Sequence, residues 1–192
     1  VDPDGYLFLA KRIARFQYPA VDGSDFFKYQ NHVWVETTDG KVMPKFDPGY
    51  PLIRSFFYKI GGDEAMFWVS PLVGGLGLLG AYLLFRLWMS SLAAALGVWI
   101  LAINPMYCIY SGYLLTHATN SCIIIWGMYF LWKWLRGNAI SGIGAGLLLG
   151  FVLTVRHSST LLVSVVLISI VIRWFQTDGT KKFSLNNPTV KE

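Results

Sequence analysis

Acidic residues are almost absent from the C-terminal two thirds of this 192-residue chain. Of its 11 Asp and Glu residues, nine lie at or before Glu64, and the next one along the chain is Asp178. A water-soluble core does not need so long a stretch without a carboxylate. A bilayer does, because a charge at its centre costs on the order of 3 kcal/mol. The shortage of acids therefore predicts an integral membrane protein whose apolar part begins near Asp63.

Other shortages exclude further classes of protein. Charged residues make up 14% of the chain, whereas soluble domains carry roughly 25%. The net charge of +5 does not indicate nucleic-acid binding, because the cations lie at predicted helix ends or among acids. Cys108 and Cys122 form no CxxC motif and are interpreted as buried apolar residues. No HExxH, EF-hand or GxSxG motif supports a protease, a serine hydrolase or an ATPase.

The apolar stretches predict an all-α polytopic membrane protein. A helix needs roughly 20 apolar residues to cross the hydrocarbon core. About five transmembrane helices are expected, or four if the last two form a re-entrant pair. They cover approximately residues 65–87, 92–110, 118–135, 140–155 and 161–172. Residues 1–63 are then a first loop, 64–174 the helix bundle, and 175–192 a polar tail or loop.

Loop charge predicts the orientation. Arg86, the Lys133–Arg136 turn and the tail fall on one side, which the positive-inside rule places in the cytoplasm. The first loop is then extracytoplasmic, since long loops translocate largely regardless of charge. A multi-pass protein of the inner or plasma membrane is expected. Because no span or signal peptide pattern precedes Val1, and the chain stops in a polar stretch, we expect it to be part of a longer protein.

The first loop contains short predicted elements. Residues 6–16 read as an amphipathic juxtamembrane helix that can lie in the membrane interface, with Asp4 as its N-cap. Residues 32–42 read as a hairpin around Asp39-Gly40. A further short helix over residues 52–60 enters the membrane near Gly61-Gly62.

Two sets of glycines are interpreted as helix-packing positions. Residues 75–80 satisfy the GxGxxG dinucleotide pattern, but they lie inside a predicted span with no preceding strand. Close helix packing is therefore preferred for them. The same interpretation applies to Gly142, Gly146 and Gly150.

Polar residues at the outer boundary are the candidates for chemistry. Asp2 and Asp4 can serve as a general base or hold a divalent cation such as Mg or Mn, or they can be solvated loop acids. Lys45, Arg54 and Arg156 suit a phosphate group.

Some residues at the outer boundary also have a simpler structural interpretation. For Arg156 this is snorkelling, and for His157 it is a helix-end position. His117 and Asn120, at the start of the third span, can line a site, but capping of that helix is preferred.

Several elements occur in an order that resembles a known family. They are Asp2-Pro3-Asp4-Gly5-Tyr6, the Lys-to-Leu element at residues 45–52, the Gly-Gly-Asp-Glu-Ala entry at 61–65, Asn104-Pro105, and the glycine-rich stretch 146–156 that ends in Arg. Together they resemble the N-terminal part of a GT-C superfamily glycosyltransferase. The nearest group is that of protein O-mannosyltransferases and lipid A aminoarabinose transferases, which are similar to glycosyltransferase family 39.

The resemblance implies a reaction. A sugar passes from a polyprenyl-phosphate donor to a hydroxyl of a lipid, glycan or protein, with inversion at the anomeric centre and no nucleic-acid partner. Asp2 or Asp4 is the implied base, with Asp2 preferred. The implied substrate- and phosphate-binding residues are Lys45, Tyr50, Arg54, Arg156 and His157. Metal dependence stays open, with Asp2 and Asp4 as the ligands if a cation is used.

A non-enzymatic transporter or flippase part is the competing class. Such proteins place polar residues and broken helices at mid-membrane, whereas here the polar groups gather at the outer boundary. The sequence therefore favours chemistry at the interface.

Overall fold

The computed structural model of the chain describes residues 3–22 and 34–176. Within these ranges it is mostly helical, and its strands form one small sheet. In chain order the elements are α1 (Pro3–Ala14), β1 (Val21–Asp22), β2 (Trp34–Glu36), β3 (Lys41–Pro44), α2 (Gly49–Phe67), α3 (Val69–Phe85), α4 (Ser91–Ala102), α5 (Pro105–Gly112), α6 (Thr116–Leu135), α7 (Ala139–Val155) and α8 (Ser159–Gln176).

The predicted juxtamembrane helix exists but begins earlier than expected. Helix α1 starts at Pro3, so Asp4 lies inside its first turn and the prediction that it is the N-cap is wrong. Proline suits the first helical position, because its missing N–H has no partner there in any case and its φ angle is already helical. Two residues after the end of the helix, Phe16 adopts a left-handed conformation, at φ 53°.

The predicted hairpin is confirmed as far as the described residues reach. β2 and β3 are antiparallel, with Val35 opposite Met43, and the turn between them contains Gly40 at φ 71°. β1 pairs with the other edge of β3, which gives the strand order β1-β3-β2. This small sheet leads directly into α2.

Helix α2 is longer than the helix predicted over residues 52–60, and it is kinked at Gly61-Gly62, where the chain is predicted to enter the membrane. Gly61 and Gly62 have non-helical angles, and Gly62 has φ 67° with ψ −150°. The chain turns there, so that the Arg54 guanidinium reaches across the kink and donates to the Met66 carbonyl at 2.8 Å. Helix α3 follows after a bend of 89°. It therefore begins at Val69, a few residues later than the predicted first span.

The second span, predicted as one helix over approximately residues 92–110, is two helices in the structure. It divides into α4 and α5, which meet at a bend of 65°. Pro105 cannot donate to the preceding turn, and its ring clashes with the carbonyl four residues earlier. The Asn104 side chain then caps the new helix by accepting from the backbone N–H groups of Met106 and Tyr107.

The last three helices follow their predicted limits closely. α6 and α7 form the most extensive helix pair, with α3 against α6 next. Their buried contacts include Ile123, Leu131, Leu149 and Val152. Many large apolar side chains on the outer faces of α4, α7 and α8 are exposed, for example Ile140 and Leu161.

No single helix in the described ranges is both long and apolar enough to cross a bilayer. Two bent pairs, α2 with α3 and α4 with α5, meet that criterion when each is taken together. The number of spans therefore stays a prediction.

The bundle has two chemically different ends. At one end Trp88 packs edge-on against Trp132, with ring centroids 4.7 Å apart, and Arg136 approaches the Leu87 carbonyl. Arg86 and Lys133 lie at the same helix ends. At the other end α6 begins, α7 ends and α8 begins. The 20 residues of α6 separate the two ends by about 30 Å, which is about the thickness of the hydrocarbon core.

The packing role predicted for the glycines is partly confirmed. A Cβ atom at Gly77 would lie 2.8 Å from the Tyr107 hydroxyl, and one at Gly80 would lie 2.8 Å from Trp126 Nε1. Gly142 likewise faces Trp134. It is not confirmed for Gly75, Gly146 and Gly150, where an added Cβ atom would meet no atom of the described residues.

Candidate functional site

A cluster of polar side chains occupies the end of the bundle where α6 begins and α7 ends. Arg156 follows the last residue of α7, and its guanidinium contacts His117 Nδ1 on α6 at 2.5 Å. The His117 ring stacks on Tyr110, with centroids 4.3 Å apart. Burial, and secondly the Arg156 charge, lower the pKa of His117. A neutral imidazole can accept from the guanidinium through Nδ1, so we assign that nitrogen as the acceptor.

Arg156 carries a charge that no described carboxylate neutralises. Its side chain is half-buried, and it forms no ion pair with any carboxylate whose side chain the structure describes. A guanidinium presents five N–H donors and matches the geometry of phosphate oxygens. Since His117 takes up one side of the fork, the other donors are available to an anion.

Asp47 connects the first loop to the same end of the bundle. Its Oδ2 accepts from the backbone N–H of His157 at 3.0 Å, and its Oδ1 forms an ion pair with His157 Nδ1. The Asp47 carboxylate is 23% exposed, whereas the His157 ring is 84% exposed. Beside this pair the Ser159 hydroxyl donates to Asn120 Oδ1 at 2.7 Å, which joins α8 to α6.

Tyr6 brings α1 to the cluster. Its ring stacks on Phe46 at 4.1 Å and meets Tyr50 edge-on at 5.3 Å. Burial raises the pKa of the Tyr6 phenol, and the nearby Thr116 side chain partly offsets this by hydrogen bonding. Tyr6 is therefore a neutral, buried group that links the first helix to the start of α6.

Two glycines permit these close approaches. A Cβ atom at Gly5 would lie 2.2 Å from the Phe46 ring, so only glycine fits beside that ring. A Cβ atom at Gly49 would lie 2.7 Å from the backbone carbonyl of Thr154, at the end of α7. The first turn of α1 and the start of α2 are thus held against the end of the bundle that carries Arg156.

Tyr50 and Arg54 form a separate buried group on α2. The Tyr50 hydroxyl shares a hydrogen bond with Ser70 at 2.9 Å, and the Arg54 guanidinium lies over the Tyr50 ring at 4.9 Å. Both side chains are fully buried. Nε and Nη1 of Arg54 have no hydrogen-bond partner in the described part of the chain. Here Arg54 joins the two halves of α2 rather than facing the open end of the cluster.

The structure thus brings together only some of the predicted residues. Arg156 and His157 lie side by side in the cluster. Lys45 is exposed and forms no ion pair with a described residue, two positions before Asp47. Asp2 lies outside the described residues, and only the backbone of Asp4 is described, in the first turn of α1 beside Gly5.

Sequence reasoning missed part of this cluster and misread another part. Asp47 and Tyr6 lay within quoted motifs but were given no role. The preferred prediction that His117 and Asn120 cap α6 is wrong, because no side chain caps that helix. His117 contacts Arg156 after the end of α7, and Asn120 contacts Ser159 at the start of α8. A signal was available for Asp47, since it is the acid nearest to Lys45 in an element otherwise built of turn residues.

The described residues alone do not form a metal site. No group of three or more His, Cys, Asp and Glu residues lies close enough to hold an ion in residues 3–22 and 34–176. A divalent cation held by Asp2 and Asp4 stays a prediction.

Comparison with known proteins gives one match. The sequence model of a family described as dolichyl-phosphate-mannose-protein mannosyltransferase matches residues 45–189, which is most of the chain. No curated protein and no solved structure matches the chain at a significant level. The matched region includes Asp47, His117, Arg156 and His157.

Proposed function

We propose a reaction for this chain, which belongs to the dolichyl-phosphate-mannose-protein mannosyltransferase family of membrane glycosyltransferases and uses, as that family implies, a polyprenyl-phosphate sugar donor. The sugar passes to a hydroxyl group of a protein, glycan or lipid acceptor at the extracytoplasmic face of the inner or plasma membrane. The anomeric centre inverts. The donor lipid enters sideways from the bilayer, so that its phosphate meets the polar end of the bundle at the interface.

The observation that carries this proposal is the half-buried Arg156 guanidinium, which has no partner among the carboxylates whose side chains the structure describes. A half-buried guanidinium at a membrane boundary suits a phosphate group, which it can bind in bidentate geometry. The departing lipid phosphate is such a group, and its charge increases as the sugar leaves. Arg156 therefore suits the transition state better than the ground state, as electrostatic catalysis requires.

The other predicted residues take roles according to their position. Lys45 lies on the exposed loop before α2, and we propose that it approaches the phosphate when the donor binds. His157 lies next to Arg156 and faces outward. Tyr50 and Arg54 are fully buried, so we propose that they support this wall of the site from behind and contact the phosphate only if α2 moves at Gly61-Gly62.

The base that deprotonates the acceptor is proposed to be Asp2 or Asp4, with Asp2 preferred. Support comes from the backbone, which places the first turn of α1 against Phe46, next to the loop that carries Asp47. A carboxylate can take the hydroxyl proton as the acceptor oxygen attacks the anomeric carbon.

The test uses the full-length protein in native membranes. Transfer from a labelled polyprenyl-phosphate sugar to endogenous acceptors is measured for wild type, Asp2→Asn and Asp4→Asn. Asp39→Asn is the matched control, because this acid lies exposed in the hairpin turn away from the cluster. Loss of transfer in one of the first two variants, with normal expression and insertion, supports the proposal and identifies the base.

Two outcomes count against the proposal. Unchanged transfer in both Asp2→Asn and Asp4→Asn removes the proposed base. If the wild type transfers sugar from none of the donors tried, the result favours a transporter function. Uptake of lipid-linked substrate into vesicles is then the relevant assay.

A further inference from the structure

Asp47 and His157 make two contacts, which is more than is needed only to hold the first loop against the bundle. One carboxylate oxygen accepts from the backbone N–H of His157, and the other faces Nδ1 of the same residue. Both carboxylate oxygens thus contact a single residue, and the contact at Nδ1 restrains the orientation of the ring. Nδ1 faces an acceptor and therefore carries a hydrogen. The second ring nitrogen, Nε2, is left toward the exposed side, where 84% of the side chain is open.

His157 belongs to the same end of the bundle as the proposed phosphate ligand. His157 directly follows Arg156, whose guanidinium is the proposed phosphate ligand, and Lys45 comes two residues before Asp47. When the acceptor oxygen attacks the anomeric carbon, the bond from that carbon to the phosphate oxygen breaks and its electron pair stays with the oxygen. A phosphodiester monoanion thereby becomes a phosphomonoester, which carries one more negative charge unless that oxygen takes up a proton.

We propose that His157 is a proton donor to the departing lipid phosphate and that Asp47 is its positioning residue. This inference rests on the proposed function. In the doubly protonated ring, Nε2–H gives its proton to the released phosphate oxygen while the carboxylate base takes the proton of the acceptor hydroxyl. Both groups return to their starting states by exchange with solvent, so protons and electrons balance. Imidazole suits this task, because it exchanges protons near neutral pH.

Of the charged and titratable groups in this cluster, Asp47 contacts the ring directly. Lys45 lies on the same loop before α2, and the cluster also contains Arg156 at the end of α7, His117 on α6, Tyr110 on α5 and Tyr6 on α1. Asp47 is the one described carboxylate among them, and its negative charge faces the ring. Removing the Asp47 charge is therefore expected to move the pH at which the rate falls.

The first experiment is a pH–rate profile of sugar transfer by the full-length protein in nanodiscs. The wild-type rate is expected to fall at high pH, as His157 loses its proton. His157→Gln keeps a donor for Asp47 but cannot give up a proton. It is expected to lose this high-pH fall, with a maximal rate lower by about 10². Asp47→Asn is expected to shift the fall to lower pH, and Asp47→Glu to restore it in part.

A different result is expected if the Asp47–His157 contact only holds the first loop against the bundle. His157→Gln and Asp47→Asn would then lower the rate at every pH without changing the shape of the profile, and the melting temperature in detergent would fall in parallel. That outcome overturns the inference while leaving the proposed function in place. Asp39→Asn is again the control, expected to match wild type in both measurements.

A second experiment does not depend on turnover. Farnesyl phosphate is the probe, and its affinity is measured by calorimetry for wild type and His157→Gln at pH 6 and pH 8.5. The variant is expected to bind about tenfold more weakly at pH 6, since a charge-assisted hydrogen bond is lost, and nearly as well as wild type at pH 8.5. An affinity ratio that does not change with pH overturns the inference. Absence of binding and transfer in wild type overturns the proposed function as well.

Discussion

Replacing Arg156 by Gln is the sharpest perturbation of the proposed phosphate site. The change removes the charge and the planar fork but keeps a polar side chain of similar length. The substitution should lower the free energy of unfolding only slightly, because the hydrogen-bond partner of Arg156 is His117, a neutral ring. The donor is charged, and hydrogen bonds of this kind contribute about 1.5–3 kcal/mol; the half-exposed position places the cost at the low end of that range.

The effect on catalysis should be larger than the effect on stability. A hydrogen bond to a charged group contributes about 1.5–3 kcal/mol net. His117 engages part of the guanidinium, so we count one such bond to the phosphate rather than two. At about 1.4 kcal/mol per factor of ten, kcat/KM is expected to fall by about 10- to 100-fold. Because the phosphate charge grows as the sugar leaves, most of the loss should lie in kcat.

The assay compares Arg156→Gln with Arg136→Gln in the full-length protein. Arg136 is a matched control, since it carries the same charge at a helix end on the opposite side of the bundle, where it approaches the Leu87 carbonyl and the Trp132 ring. Initial transfer rates are measured across donor concentrations, with the melting temperature in detergent measured alongside. A fall in kcat/KM below threefold for Arg156→Gln, or an equal fall for Arg136→Gln, would refute the phosphate role of Arg156.

Two further predictions concern stability. Gly49→Ala should destabilise the protein by about 1–3 kcal/mol, partly offset by better helix propensity, because the added carbon would lie 2.7 Å from the Thr154 backbone. Its melting temperature should fall by about 2–4 °C per kcal/mol, whereas Gly146→Ala, which meets open space, should not lower it. The pKa of His117 is lowered by burial and then by Arg156, so the stability it contributes is present above the unfolded value of about 6.5 and is lost as pH falls through the folded value. The melting temperature of His117→Gln should therefore fall less than that of wild type between pH 7.5 and pH 5, and an identical fall would contradict this account.

Local chemistry explains why much of the fold could be predicted from the sequence. The hairpin around Asp39-Gly40 and the kink at Gly61-Gly62 depend on residues that adopt special backbone angles, and those residues are visible in the sequence. The limits of α6 and α7 follow from a change from apolar to polar residues. The break before Pro105 was also visible, but apolar length was given more weight than the missing backbone donor.

The candidate site could not be predicted to the same degree, because its contacts join distant parts of the chain. Asp47 and His157 are 110 residues apart, and His117 and Arg156 are 39 apart. Hydropathy places each of these residues at the same end of the bundle but does not determine which of them touch. What brings them into contact is packing that only small residues allow, at Gly5 against Phe46 and at Gly49 against Thr154. Enlarging Gly49 should therefore separate the first loop from Arg156, and loss of transfer with the helices intact would show that this packing, and not the charges alone, assembles the site.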